Sequence, residues 1–393
     1  MPSIRALTEA EANGLREHRH WLHAHPEIAF KEHLTAAHVA QELERLGLVP
    51  ERGLAGTGVV ATIEGRPGGR TVGLRADMDG LPIEETGTLP YASRHPGAMH
   101  ACGHDGHTAM LLGAARLLAE DRSFAGRVHL VFQPAEETEG GGRVMVEDGL
   151  FRRYPMDAIF ALHNWPGIAT GRVAVRAGAM MASFDVFEIT LAGKGGHAAM
   201  PHRVDDVVVA GCELVAALQT VVSRRLDPSD AAVLSVTGVQ SGGTWNVLPD
   251  VFVLRGSCRA LSHGTRAGLE KSIRTIADGV AAAHGLSAKV EYERRVPATI
   301  NEPHCARMAA QTAVEIFGSD RVETEFAATM AGEDFAFMLE RCPGAYLWIG
   351  VGEEHAPLHS QAYDFNDAVL GDGARLLAAL AIASLRTTGR TTA

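Results

Sequence analysis

Six side chains spread along the chain have the types that bind divalent metal ions or move protons. Cys102 and His104 share a glycine-bearing turn in MHACGHDGHTA, Glu136 and Glu137 are adjacent in FQPAEE, His163 stands in ALHNWPG and His359 in APLHSQAYDFN. Thiolate, imidazole and carboxylate are the ligands that divalent transition metals take. Two ions a few ångströms apart need about five protein ligands, and a further group must take a proton from the water they activate. Adjacent carboxylates divide that labour: Glu137 can coordinate while Glu136 accepts the proton and later passes it to a leaving amine. Singly, each residue has an ordinary structural reading. A lone Cys is usually a small buried hydrophobe, a Glu pair is usually solvated, and His163 and His359 would serve in packing as readily as in ligation. As a set they point to a metal-dependent hydrolase.

The elements that must position these groups follow from hydrophobic periodicity. Thr8-Glu9-Ala10-Glu11 has the spacing of a capping box opening an amphipathic helix. A helix over 32–46 ends at Gly47, Gly58–Ile63 and Thr71–Ala76 read as strands, and a helix spans about 105–120. Strand Val128–Phe132, helix 143–148 and strand Ala158–Leu162 follow. This alternation predicts an α/β sheet with helices on both faces. Asp77, Glu136 and His163 then come directly after strands, at the carboxyl ends where open α/β sheets place their sites. From about 182 the texture changes. Strand Phe184–Leu191, helix Asp205–Ser223, strands Ala232–Val239 and Val251–Cys258, helix 264–284 and strand Ala288–Glu293 give the split βαβ, ferredoxin-like order. Helix 303–317, strand Ala345–Val351 and helix 366–387 resume the first texture. The expected organisation is a mixed-sheet α/β catalytic domain made of 1–181 and 295–393, with an inserted ferredoxin-like domain at 182–294.

Bulk properties exclude several classes. The 393 residues are 46% hydrophobic and 21% charged, with a formal charge of -11, which argues against nucleic acid or anionic membrane as partner. Five cysteines without CxxC spacing suit a reducing compartment, and no signal-peptide order opens the chain, so a cytoplasmic location is expected. The apolar run Val207–Val222 is interrupted by Glu213 and Gln219 and reads as a buried-face helix rather than a membrane span. A dehydrogenase would show GxGxxG after an early strand; Gly53–Gly58 reads GLAGTG, the wrong spacing.

The ordered series CGHDGHTA, FQPAEE, LHNWPG, GKGGHAAMPH, GGTWNVLPD and LHSQAYDFND resembles the dimetal amidohydrolases of the hippurate hydrolase, aminoacylase and auxin-conjugate hydrolase family, from HAHPEIAFKE (His23–Glu32) to the C-terminal helix. The resemblance implies that Cys102, His104, Glu137, His163 and His359 bind two divalent ions per subunit (manganese, zinc, cobalt or nickel) and that Glu136 is the general base. The broader peptidase superfamily carries a His-x-Asp motif where this chain has Asp77-Met78-Asp79, which leaves Asp77 in doubt as a ligand and gives the Cys102 thiolate more weight. His107 and Asp105 read as supporting residues. The resemblance also implies that His197, on the glycine-rich loop GKGGHAAMPH, reaches the metal site of a partner subunit in a homodimer or homotetramer joined through the inserted domain. An imidazole there can donate to the oxyanion of an attacked amide. Asn246 is a second donor candidate, and Arg259 either clamps a substrate carboxylate or makes an ordinary ion pair. Trp165 reads as packing, with an acyl-pocket wall as the alternative.

The expected reaction is hydrolysis of an N-acyl amino acid, hippurate-like, to a carboxylate and a free amino acid. N-acetyl-diaminopimelate deacetylation and small-peptide cleavage are the alternatives within the class. A catalytically silent metal-binding scaffold is the alternative outside it, and such a scaffold would have lost a ligand or the base.

Overall fold

The chain opens as its first residues dictate. Glu11 N donates to Thr8 Oγ1 at 3.3 Å and the Glu11 carboxylate accepts from Thr8 N at 2.7 Å, the reciprocal pairing that satisfies two otherwise unpaired donors at a helix start. The computed structural model describes residues 4–137 and 140–386. In chain order it contains α1 (Glu9–Ala24), α2 (His33–Arg45), β1 (Glu51–Leu54), β2 (Gly58–Glu64), β3 (Arg66–Asp77), α3 (His104–Glu120), β4 (Ala125–Gln133), α4 (Gly141–Glu147), α5 (Leu150–Arg153), β5 (Ala158–Pro166), β6 (Val173–Ala174) and β7 (Gly178–Met181). Then come β8 (Phe184–Ala192), β9 (Gly196–His197), α6 (Val207–Thr220), β10 (Ala232–Ser241), β11 (Val247–Leu248), β12 (Val251–Ala260), α7 (His263–Ala283) and β13 (Ser287–Val296). The rest is β14 (Thr299–Asn301), α8 (Pro303–Phe317), β15 (Val322–Glu323), α9 (Ala336–Leu339), β16 (Gly344–Gly352) and α10 (Leu370–Arg386).

Two units result: one of residues up to Gly178, Ile300–Ala327 and from Asp334 onward, the other of Ala179–Thr299 with Ala328–Glu333. The first holds an eight-stranded mixed sheet in the order β1-β2-β4-β3-β5-β16-β6-β15. Its centre is parallel, β4 beside β3, β3 beside β5 and β5 beside β16; β4, β5 and β16 are buried almost end to end, and β3 over its second half. Parallel strands covered on both faces need such continuous apolar runs. Helices α3 and α10 pack on each other and on β3, and α8 packs on β16. One core joins Leu74, Phe132, Phe160 and Leu347 of the sheet with Leu111, Leu118, Leu377 and Leu380 of those helices.

The second unit runs β-α-β-β-α-β from β8 to β13, with antiparallel neighbours in the order β10-β12-β8-β13, which is the ferredoxin-like arrangement. Strand β8 alternates buried and half-buried residues along its length, as a sheet covered on one face requires. Phe187, Ile189, Leu191 and Leu254 meet Leu214 and Leu218 of α6 and Leu269 and Ile273 of α7. Helical stretches Val207–Arg225 and Asp367–Arg386 have the length and hydropathy of a membrane span, yet α6 packs on β8, β10 and β12, and α10 on β3 and α3.

One expectation needs correction. Strand β5 does not stop before His163; it continues through His163 to Pro166, because β16 pairs with it all along, Trp348 opposite His163. His163 is therefore fixed by a sheet ladder rather than by a loop.

Candidate active site

Strands β3, β4 and β5 are neighbours and parallel, so their carboxyl ends gather Asp77, the turn after Gln133 and His163 at one edge of the sheet. The backbone there takes unusual forms. Gly103, between Cys102 and His104, has φ 95° and is the N-cap of α3; a Cβ on it would meet Asn164 Oδ1 at 2.1 Å, so only glycine lets Cys102 and His104 approach β5. Ala135 (φ 54°), just before the Glu pair, and His359 (φ 65°) are two of four non-glycine residues with positive φ among the described residues. Such strain persists where surrounding structure over-determines it, which is common at functional sites.

The five candidate ligands lie side by side. Cys102 Sγ is 3.5 Å from His163 Nε2, His104 Nε2 is 3.7 Å from Glu137 Oε1, and His359 Nε2 is 3.2 Å from the same oxygen. Three of them are oriented from behind. His104 Nδ1 faces Asp79 O at 2.9 Å and Asp79 Oδ1 at 3.2 Å, both acceptors, so Nδ1 carries the proton and Nε2 turns inward. His163 Nδ1 donates to Asn164 O at 2.6 Å, leaving Nε2 toward Cys102. Glu137 N donates to Asp79 Oδ2 at 3.0 Å. Asp79 thus fixes His104 and Glu137 together, as outer partners of metal ligands do.

Two observations test whether a divalent cation fits here. Buried His104 Nε2 and Glu137 Oε1 have no hydrogen-bond partner, although buried polar atoms nearly always have one. The electrostatics also demand positive charge. Burial lowers the His104 pKa, but Asp77, Asp79 and Glu137 outweigh it and raise it to about 10. Burial, then Glu137 and Glu136, push the Cys102 thiol well above its ordinary value. Burial holds His163 neutral, well below its ordinary value. A buried group of acidic oxygens, two inward ring nitrogens and a thiol is the donor set of a divalent transition metal, whose charge would replace the protons.

Other residues support this cradle. Asp77 lies 3.8 Å from His104 Nε2, but its oxygens are engaged by Arg75 Nη1 at 2.8 Å and His107 Nδ1 at 2.5 Å. Burial would raise its pKa; His104, His107 and Arg75 hold it well below the usual range. Its geometry is that of a brace. His107 Nε2 faces the side chain and the backbone N of Asn164 at 2.6 and 3.0 Å. Asp105 accepts from Arg19 Nε at 3.0 Å and pairs with His23 Nδ1 at 2.8 Å, while Arg19 also binds Asp364 in the segment that brings His359. Trp165 stacks on Trp348 at 4.1 Å. Sequence reasoning missed Asp79 and Arg19. The signal for Asp79 was its place two residues beyond Asp77; for Arg19 it was only the four-residue spacing to His23, one face of a helix.

Glu136 occupies the turn next to Glu137, its Oε1 accepting from Asp334 N at 3.3 Å. The remaining candidates belong to the second unit. His197 is exposed on β9, opposite Val247 of β11, and Ala198 N donates to Asn246 O at 3.0 Å, so His197 and Asn246 share one ladder. Ala199 N donates to His197 Nδ1 at 3.1 Å, which leaves the proton on Nε2, a donor facing outward. Arg259 lies 4.2 Å over the Phe184 ring and donates to Met330 O at 3.1 Å.

Residues 73–383 match the model of peptidase family M20/M25/M40. The chain belongs to the M20 peptidase family. This M20 chain is 39% identical to hippurate hydrolase of Campylobacter jejuni over 94% of its own length and 96% of that enzyme's. It is 38% identical to N-acetyl-L-cysteine deacetylase of Bacillus subtilis, over 92% and 85% of the two chains. The solved structure of the Bacillus subtilis YXEP protein, described as a dinuclear metal binding peptidase of the M20 family, superposes with a TM-score of 0.87 at 33% identity, covering 97% of this chain and all of that one. The M20 chain is a metal-dependent amidohydrolase that acts on small molecules.

Proposed function

We propose that this M20 amidohydrolase hydrolyses the amide bond of N-acyl amino acids of the hippurate kind. One observation carries the reading: a buried Glu137 oxygen and a buried His104 nitrogen that satisfy no hydrogen bond and stand 3.7 Å apart, with a second carboxylate, Glu136, next in the chain. Cys102, His104, Glu137, His163 and His359 would hold two divalent ions per subunit, of manganese, zinc, cobalt or nickel. Such ions polarise a carbonyl and make water acidic. Glu136 takes the proton from the attacking water and delivers it to the nitrogen of the leaving amino acid. His197 donates from Nε2–H to the developing oxyanion, with Asn246 as a neighbouring donor.

Arg259 binds the substrate carboxylate. Among the described residues it has no ion-pair partner, and a guanidinium braced on an aromatic ring keeps donors for a planar carboxylate. Residues 182–294 form a dimerisation domain through which His197 serves a second subunit, the assembly being a homodimer or a pair of dimers. Exposed Val239, Trp245, Val247 and Val251 on this unit supply apolar surface for such a contact. Residues 1–181 and 295–393 form the metal-binding catalytic domain, and the enzyme works in the cytoplasm. The similarity to N-acetyl-L-cysteine deacetylase supports a second reading, removal of a small acetyl group.

Amine release from hippurate, N-acetyl-cysteine, N-acetyl-diaminopimelate and other N-acyl amino acids, measured after chelation and again after adding each metal, tests the proposal. Metal-restored release ranked by acyl group is the expected result. Stoichiometric metal with no release from any member would sink it.

A further inference from the structure

A histidine pair and a carboxylate meet where α1 faces α2, and none of the three helps build the active site. His38 and Glu42 stand four residues apart on α2, the spacing that puts two side chains on one helix face; His18 comes from α1. Their ligand-type atoms all lie within 4.8 Å of one another. His18 Nε2 is 3.3 Å from Glu42 Oε2, and two ligands bound at about 2.1 Å to one tetrahedral zinc stand about 3.4 Å apart. His38 Nε2 is buried without a hydrogen-bond partner, a state that buried ring nitrogens rarely keep.

The surroundings hold these groups in place. The His38 ring stacks on Trp21 at 4.2 Å and 10° and meets the His18 ring edge-on at 5.2 Å. The other Glu42 oxygen accepts from Arg45, orienting the carboxylate as outer partners orient metal ligands. A cleft of about 320 Å³, lined by His18, Glu42, Arg45 and Arg116 among others, opens onto His18 and Glu42 and leaves room for water beside these two ligands, while His38 lines a separate cleft with Trp21.

We propose that His18, His38 and Glu42 form a separate site for one transition-metal ion of the zinc or copper(II) class, which clips α1 to α2. Two imidazoles and one carboxylate select such ions over magnesium or calcium, which prefer oxygen-only sets. An ordinary His18–Glu42 ion pair accounts for two of the three groups and leaves His38 Nε2 aimed at nothing. Arg45, paired with Glu42, offsets part of its charge, so the site is weaker than a closed structural zinc site. Helix α1 also carries Arg19 and His23, which grip Asp105 at the start of α3, so the clip would steady the helix on which the active site leans.

The test equilibrates the holoenzyme with buffered zinc, removes unbound metal and measures zinc per subunit. His38→Gln and His18→Gln should each carry one ion fewer than the wild type while hydrolysing substrate at an unchanged kcat. Equal zinc content in all three proteins would overturn the proposal. Should the variants fold poorly, Trp21 reports on the unaltered site: copper(II) at His38 should quench the stacked indole, and Trp21→Phe should remove that share of the quench. A copper titration that leaves the Trp21 emission untouched would equally overturn it.

Discussion

The two units carry polar residues in opposite ways. Around the metal cradle Asp77, Asp79, His104, His107 and His163 are each at most 5% exposed, and each side chain is gripped by a neighbour. In the ferredoxin-like unit His197 and Asn246 are exposed, and Arg259 is tied by one carbonyl and one ring. A buried network is costly unless every member is satisfied, so the cradle is built to be rigid and to be completed by a cation. A surface donor costs little to keep and can meet a ligand from outside. The proposed function puts fixed chemistry in the first unit and substrate contacts in the second, in line with this contrast, and substitutions can break it.

The largest effect belongs to Glu136→Gln. It keeps the shape of the turn and removes only the proton acceptor, so kcat should fall by roughly 10³ or more while metal content stays normal. Turnover within a few-fold of wild type would remove Glu136 as the base. His197→Ala comes next, at about 10² to 10³ in kcat, the usual cost of one oxyanion donor, again with full metal. Mixing His197→Ala with Glu136→Gln under subunit exchange should restore some activity if the donor serves a partner's site. Proven exchange without recovery would refute that arrangement.

Asp79→Asn probes the rigid side. It leaves all five candidate ligands in place but weakens the grip on His104 Nδ1 and Glu137 N, so metal affinity should drop about 10- to 100-fold, with kcat partly recovered at high metal concentration. An unchanged metal affinity would show that the cradle does not depend on its brace. Arg259→Gln should act on binding alone, raising KM about tenfold with kcat nearly constant, the pattern of a contact made equally in ground and transition states. Loss of kcat with unchanged KM would instead place it near the reacting atoms.

How far the sequence could be read follows the same division. The βαββαβ order from β8 to β13 is written in local alternation, because a sheet covered on one face shows the period of two. The extent of β5 was not, since its continuation through His163 comes from pairing with β16, nearly two hundred residues away. Cys102, His104, Glu137, His163 and His359 could be singled out by residue type and neighbouring motif. Asp79 and Arg19 could not, because an outer partner is defined by what it touches after folding. Arg259 was left between a clamp and a surface ion pair, and its place over Phe184 could not be inferred from strand periodicity.

The smallest effect separates stability from catalysis. His129 of β4 pairs with Thr62 through Nδ1 at 2.8 Å, and burial, then Arg127, lower its pKa from 6.5 to about 4. The folded protein therefore resists a proton that the unfolded chain accepts, so this contribution is complete above pH 6.5 and is lost as pH falls toward 4. On the order of 3 kcal/mol is at stake. Urea unfolding at neutral and mildly acidic pH should show a steeper loss for the wild type than for His129→Gln, with amide hydrolysis at neutral pH the same in both. Equal pH slopes would mean that the protonated ring is accommodated in the folded state. A fall in hydrolysis with unchanged stability would carry the cradle's influence as far as the β2–β4 pair and blur the line between supporting sheet and active site.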